Sequence, residues 1–382
     1  MSTNALINPF RVEVPQAELD DLKQRLARTR WPERETVKDW SQGVPLASAQ
    51  ALVKYWSEQY DWRRCEAALN RYEQWTTEID GVSIHFLHVR SKHENAQPML
   101  LTHGWPGAVL EFMSVIEPMT DPTAHGGTAE DAFHLVIPAL PGFGFSGKPT
   151  EHGWSVQKIA QAWTELMARL GYTQYVAQGG DWGAAVTTAL GAMQPAGLRS
   201  IHVNFPLVMP QDPGTDLSPA EVGMLTSMQE YVEWDSGYSH QQSTKPQTLG
   251  YGLADSPVGQ AMWIFEKFHR WTDNDGDPLS ALSYDQMLDI ITLYWLTNSA
   301  ASSGRLYWES YKAGFFAVPL ALPVGCSIFP KELYRAPRSF AERCMSQIVY
   351  WGEVDKGGHF AALEQPALFV NEVRNWARCV PD

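Results

Sequence analysis

Residues 177–185 read AQGGDWGAA. The apolar run Tyr175, Val176, Ala177 precedes this stretch and Ala-rich sequence follows it, so it reads as strand, sharp turn, helix. Gly179, Gly180 and Gly183 crowd around Asp181. Small residues on both sides allow a strained elbow that pushes one side chain out at the carboxyl end of a sheet, above the positive end of a helix. In esterases that side chain is Ser; here it is Asp. A carboxylate with an ordinary pKa of about 3.9 is ionised without help and can attack an sp³ carbon to give an alkyl ester. A serine attacking the same carbon would leave an ether that water does not readily remove. The alternative is an Asp that merely caps the helix. The flanking glycines and the preceding buried strand weigh against it.

The chain around the elbow alternates strands and helices. WTTEID and VSIHFLHVR meet at Asp80-Gly81, a hairpin signal. PMLLTHGWPG (98–107) and FHLVIPALPGFG (133–144) are strands running into Gly/Pro turns. Ser155 is placed to cap a helix reaching about Leu170, and LRSIHVNF (198–205), LPVGCSIF (322–329) and QIVYWGEV (347–354) are further strands. Alternation of this kind predicts an α/β fold with a mostly parallel central sheet. Before it, helices are expected over about 17–29, 47–60 and 63–72, the first with Leu19, Leu22 and Leu26 on one stripe, so the first ~70 residues read as mostly helical. From about 206 the strand signals fade into aromatic helical sequence. The expected division is an N-terminal helical arm (1–72), a core (73–205 and 320–382) and a helical cap (206–319).

Bulk properties fit this reading. The 382 residues are 44% hydrophobic and 19% charged, as in soluble globular proteins. A net charge of −14 argues against nucleic acid or an anionic membrane surface as partner. Cys65, Cys326, Cys344 and Cys379 are scattered, without a disulfide or zinc pattern. MSTNALINPF has neither basic region nor apolar run, so a soluble cytoplasmic protein is expected.

Two further motifs complete a reactive centre. HGWPG (103–107) turns sharply after a strand, and the N–H groups of Trp105 and Trp182 are placed to converge on one oxygen. His103 reads as a tie that holds this loop. In KGGHFAALEQP (356–366), glycines release the chain before His359, the only histidine after His269. The order nucleophile, acid, histidine makes His359 the base. Glu332, Glu342, Glu353 and Asp355 are candidates for the acid; Glu332, directly after a strand and a Pro turn, is favoured.

These motifs, with RVEVPQAELDDLKQRLARTRWP, QSTKPQTLGYGLADSPVG, EKFHRWTD and FPKEL, give the chain a resemblance to the microsomal-type epoxide hydrolases over essentially its whole length. The resemblance implies an α/β-hydrolase fold with a cap and an N-terminal arm. It implies Asp181 as nucleophile, His359 as base and Glu332 as its acid. It also implies Tyr238 (SGYSHQQ) and Tyr307 (RLYWES) as donors to the epoxide oxygen, a pair that pattern alone does not pick from 14 tyrosines. No cofactor or metal is implied. The substrate class would be a small hydrophobic epoxide, with detoxification or hydrocarbon catabolism as the setting and a homodimer through the cap.

The rivals are a haloalkane dehalogenase, which shares an elbow Asp followed by Trp, and a silent binding protein on the same fold. Dehalogenases typically carry Asn after the oxyanion HG, where Trp105 stands here. His85 and His88 point to opposite faces of a strand. DNDGDP (273–278) lacks the ligand spacing of a calcium loop. The glycines of PGFGFSG (141–147) are expected to shape the mouth of the site.

Overall fold

The computed structural model describes residues 6–208, 212–314 and 318–381. Residues 1–5, on which the leader reading partly rests, lie outside them. So do 209–211 and 315–317, near the two ends of the 206–319 segment.

The sheet starts earlier than expected. β1 (Ile7–Phe10) pairs antiparallel with β2 (Gln74–Ile79), ahead of the helices α1 (Gln16–Ala27), α2 (Leu46–Glu58) and α3 (Trp62–Leu69). β1 is a short edge strand containing Pro9, with two exposed and two half-buried residues, so it carries no alternation to read. The helices follow the sequence reading, and Leu19, Leu22 and Leu26 of α1 are buried together. β2 and β3 (Val82–Val89) form the expected hairpin, with φ of +47° at Asp80 and +79° at Gly81, as a type I′ turn requires.

Then follow β4 (Gln97–Thr102), α4 (Met113–Thr120), β5 (Phe133–Pro138), α5 (Val156–Arg169), β6 (Tyr175–Gly179), α6 (Trp182–Met193) and β7 (Leu198–Val203). Ser155 stands at the N-cap of α5, but its side chain makes no capping hydrogen bond; position alone does not fix the rotamer. Between β7 and β8 (Leu320–Ile328) lie α7 (Pro219–Glu230), α8 (Gly237–Thr244), α9 (Pro246–Asp255), α10 (Pro257–Trp271), α11 (Tyr284–Leu296) and α12 (Ala300–Ala313). The chain ends through α13 (Arg338–Ala341), β9 (Met345–Glu353), α14 (Ala361–Glu364) and α15 (Pro366–Ala377).

The strand order is β1-β2-β3-β5-β4-β6-β7-β8-β9, antiparallel as far as β5 and parallel from β5 to β9. Met99, Leu100 and Leu101 of β4 and Val176 and Ala177 of β6 are fully buried, as central parallel strands covered on both faces must be. β4 and β6 are neighbours, and the chain order reverses around β4. HGWPG and GGDWG therefore leave side by side at the carboxyl edge, where open α/β sheets bind ligands.

Candidate active site

Asp181 sits between β6 and α6 with φ +52° and ψ −128°, a conformation that a non-glycine residue adopts only when its surroundings impose it. Two close approaches impose it. A Cβ on Gly183 would collide with the backbone carbonyl of Thr102, and one on Gly104 would collide with the Asp181 carboxylate. The elbow is thus packed tightly against the end of β4.

That contact sets the electrostatics. The Trp105 N–H donates to Asp181 Oδ1 at 2.6 Å. His359 Nε2 lies 3.2 Å from Oδ2, in ion-pair range but not aligned as a hydrogen bond. On the other side of the ring, His359 Nδ1 meets Glu332 Oε1 at 2.6 Å, and the same oxygen accepts the Leu333 N–H at 2.7 Å. Burial alone would depress the His359 pKa. The Glu332 and Asp181 carboxylates overcome it and hold the pKa well above the usual value. The backbone of His359 is fixed too: its N–H donates to the Trp271 carbonyl, and Glu364 accepts the N–H groups of Gly358, Phe360 and Asp273.

Tyr238 of α8 and Tyr307 of α12 come over this centre. The Tyr238 ring stacks on Trp105 with centroids 5.0 Å apart, and the Tyr307 ring meets Trp182 edge-on at 4.6 Å. Burial raises both phenol pKa values well above 10, so both are neutral donors at ordinary pH. The Tyr238 hydroxyl is 3.2 Å from that of Tyr231, while that of Tyr307 makes no well-aligned hydrogen bond among the described residues. With Asp181 they line a largely apolar cavity of about 290 Å³. Clefts of about 680 and 460 Å³ lie elsewhere on the molecule; chemistry rather than size identifies the site. A separate cavity of about 20 Å³, lined by Trp105, Glu111, Asp181, Asn204 and His359 among others, shares Asp181 but not the tyrosines.

The structure brings Asp181, Glu332, His359, Tyr238, Tyr307, Trp105 and Trp182 together. His103 ties the loop as expected: Nε2 accepts the Leu140 N–H at 3.1 Å, Nδ1 bonds the Gly104 carbonyl at 2.9 Å, and burial lowers its pKa to about 4. His85 and His88 have separate partners, Gln74 and Tyr172, and among the described residues no His/Cys/Asp/Glu group has the makings of a metal site. PGFGFSG is tied to the helix carrying Tyr307, since Ser302 Oγ donates to the Gly142 carbonyl.

Several contributors escaped the sequence reading. Lys267 and Asp235 form a buried pair at 3.0 Å, Trp271 Nε1 donates to Asp235, and Lys267 Nζ lies 4.3 Å from the Tyr238 ring centre. EKFHRWTD contains Lys267 and Trp271, but nothing in it names Asp235 as their partner. Glu111 and Asn204 carried no motif signal.

Known proteins are similar to this chain along most of its length. Residues 7–112 match the model of the epoxide hydrolase N terminus, and 97–259 match that of the alpha/beta hydrolase fold. A Stigmatella aurantiaca (strain DW4/3-1) protein named "Putative epoxide hydrolase" is 63% identical over 97% of this chain and 85% of its own. Epoxide hydrolase 1 of Sus scrofa is 33% identical over 97% and 88%. The structure of Aspergillus niger epoxide hydrolase superposes with a TM-score of 0.89 at 32% identity, covering 100% of this chain and 98% of that one. No helix of the described residues is long and apolar enough to cross a membrane. The chain belongs to the microsomal-type epoxide hydrolase family, on the α/β-hydrolase fold.

Proposed function

We propose that the chain hydrolyses an epoxide to a vicinal diol in two covalent steps centred on Asp181. Oδ1 is already engaged by the Trp105 N–H, which leaves Oδ2 to attack an epoxide carbon. The new Oδ2–C bond forms as the ring C–O bond breaks, and the freed oxygen takes a hydrogen bond or proton from Tyr238 and Tyr307. The ester is neutral, so one of the two carboxylates holding His359 protonated has lost its charge; His359 gives up its Nε2 proton, which replaces the one supplied to the freed oxygen, and is left as a neutral base. His359, oriented by Glu332, then takes a proton from water as the water attacks the ester carbonyl. The N–H groups of Trp105 and Trp182 stabilise the tetrahedral oxyanion. Collapse releases the diol with Oδ2, and the oxygen of water stays in Asp181.

One observation carries the reading: two neutral phenols line the same cavity as the elbow carboxylate. A halide leaving group needs no proton donor, and relatives at this coverage are epoxide hydrolases, which favours an epoxide over a haloalkane. The rest of the reading is a hydrophobic epoxide as substrate, an arm of 1–72, a core of 73–205 with 320–382, a cap of 206–319, and a homodimer through that cap.

Single-turnover reaction in H₂¹⁸O tests the ester. The label is expected in Asp181 and not in the first diol. Heavy oxygen in the first diol overturns the mechanism. Chloride release from chloroalkanes, with no diol from styrene oxide, overturns the substrate class.

A further inference from the structure

Glu111 lies in the short turn Val109–Phe112 after HGWPG, and its carboxyl folds back over Gly107, filling the space a Cβ there would need. It lines the small cavity together with Asp181, Asn204 and His359. A volume of about 20 Å³ is the room one water requires. Among the described residues Glu111 forms no ion pair. The titratable groups that face it are His359, Asp181 and Tyr294 of α11, and its polar neighbour is the Ala108 backbone. Burial raises its carboxyl to about 8, with His359 opposing and Asp181 adding to the rise. A half-buried carboxyl with no charged partner favours a hydrogen-bonded water, and the space beside it is water-sized and lined by Asp181 and His359.

We propose that Glu111 is a positioning residue for ester hydrolysis: its carboxyl oxygen accepts one hydrogen of the water held in the small cavity, while His359 Nε2 takes the other. The remaining lone pair of the water then faces the Asp181 carbonyl carbon. The water O–C bond forms, the proton moves to Nε2, the acyl C–Oδ2 bond breaks, and the proton passes to the departing diol oxygen. Glu111 retains its acceptor oxygen whether or not it is protonated. The inference rests on the Asp181 ester reading.

Rapid-quench mass spectrometry with styrene oxide separates ester formation from decay. Glu111→Leu is expected to slow decay about 100-fold while formation stays within about 3-fold of wild type, so that ester accumulates and kcat and KM fall together. Glu111→Gln keeps an acceptor in the same place and is expected to hold decay within about 10-fold of wild type. Equal slowing of both steps in the Leu variant, unchanged decay, or a Gln variant as slow as Leu overturns the proposal. If the Leu variant does not fold, Glu111→Ala replaces it, and equal decay in Ala and Gln variants overturns the proposal. Wild-type enzyme that never forms an ester removes the ester reading and this inference with it.

Discussion

At the scale of single residues, the two halves of the proposed reaction rest on different side chains. In the proposed mechanism Tyr238→Phe and Tyr307→Phe each remove a donor to the opening epoxide. Each is expected to slow ester formation about 100-fold and leave decay unchanged, as rapid quench would record; unchanged formation in both variants removes their role. Glu332→Gln removes the main interaction raising the His359 pKa, so that pKa should fall in the imidazole NMR titration, with slower ester decay. The folded-state pKa lies above the unfolded value of about 6.5. This group's stabilisation is therefore complete below that pH and declines as pH rises towards the folded value. The stability gap between wild type and His359→Gln should accordingly narrow from pH 6 to pH 9 in urea unfolding. Asp181, His359 and Glu332 were legible because each sits in a local motif whose glycines or proline dictate the backbone. Tyr238 and Tyr307 were legible only through the family resemblance, because a helical tyrosine carries no local mark of what it faces. Glu111 reaches the site only by folding over Gly107, a contact that spacing does not encode.

At the scale of elements, the elbow is a statement about two strands. Gly183→Ala would press a methyl on the Thr102 carbonyl, so β4 and α6 have to separate. A loss of about 3 kcal/mol is expected by chemical denaturation, together with loss of ester formation. The turn delivering His359 depends on another cluster. Glu364→Gln places an amide N–H₂ where three backbone N–H groups converge and should slow decay more than formation. Strand-turn-helix units were readable because parallel strands are continuously apolar and their turns are punctuated by glycine. β1 was not, because an edge strand that contacts one neighbour needs no pattern.

At the scale of the whole molecule, helices far apart in sequence are joined. Tyr60 Oη donates to Asp289 of α11 at 2.8 Å, Arg64 bonds the same carboxylate at 2.6 Å, and Tyr55 reaches Asp285. Asp289→Ala leaves the nearly buried Tyr60 hydroxyl without this acceptor and should cost about 1–3 kcal/mol, read as a lower Tm. Composition and charge had narrowed the partner class, but such joins between segments have no sequence signature. A second set of bonds reaches residues 142–157: Ser302 Oγ donates to the Gly142 carbonyl, Ser310 Oγ accepts the Val156 N–H, Lys148 Nζ donates to the Thr297 carbonyl and Gln157 Nε2 to the Gly314 carbonyl. A roof latched by two such sets of bonds is not expected to swing like a door. Traffic through the proposed reactive chamber is then expected to depend on side chains at its rim, with molecules sorted by girth before any bond is made or broken, which would show as rates that fall with substrate width.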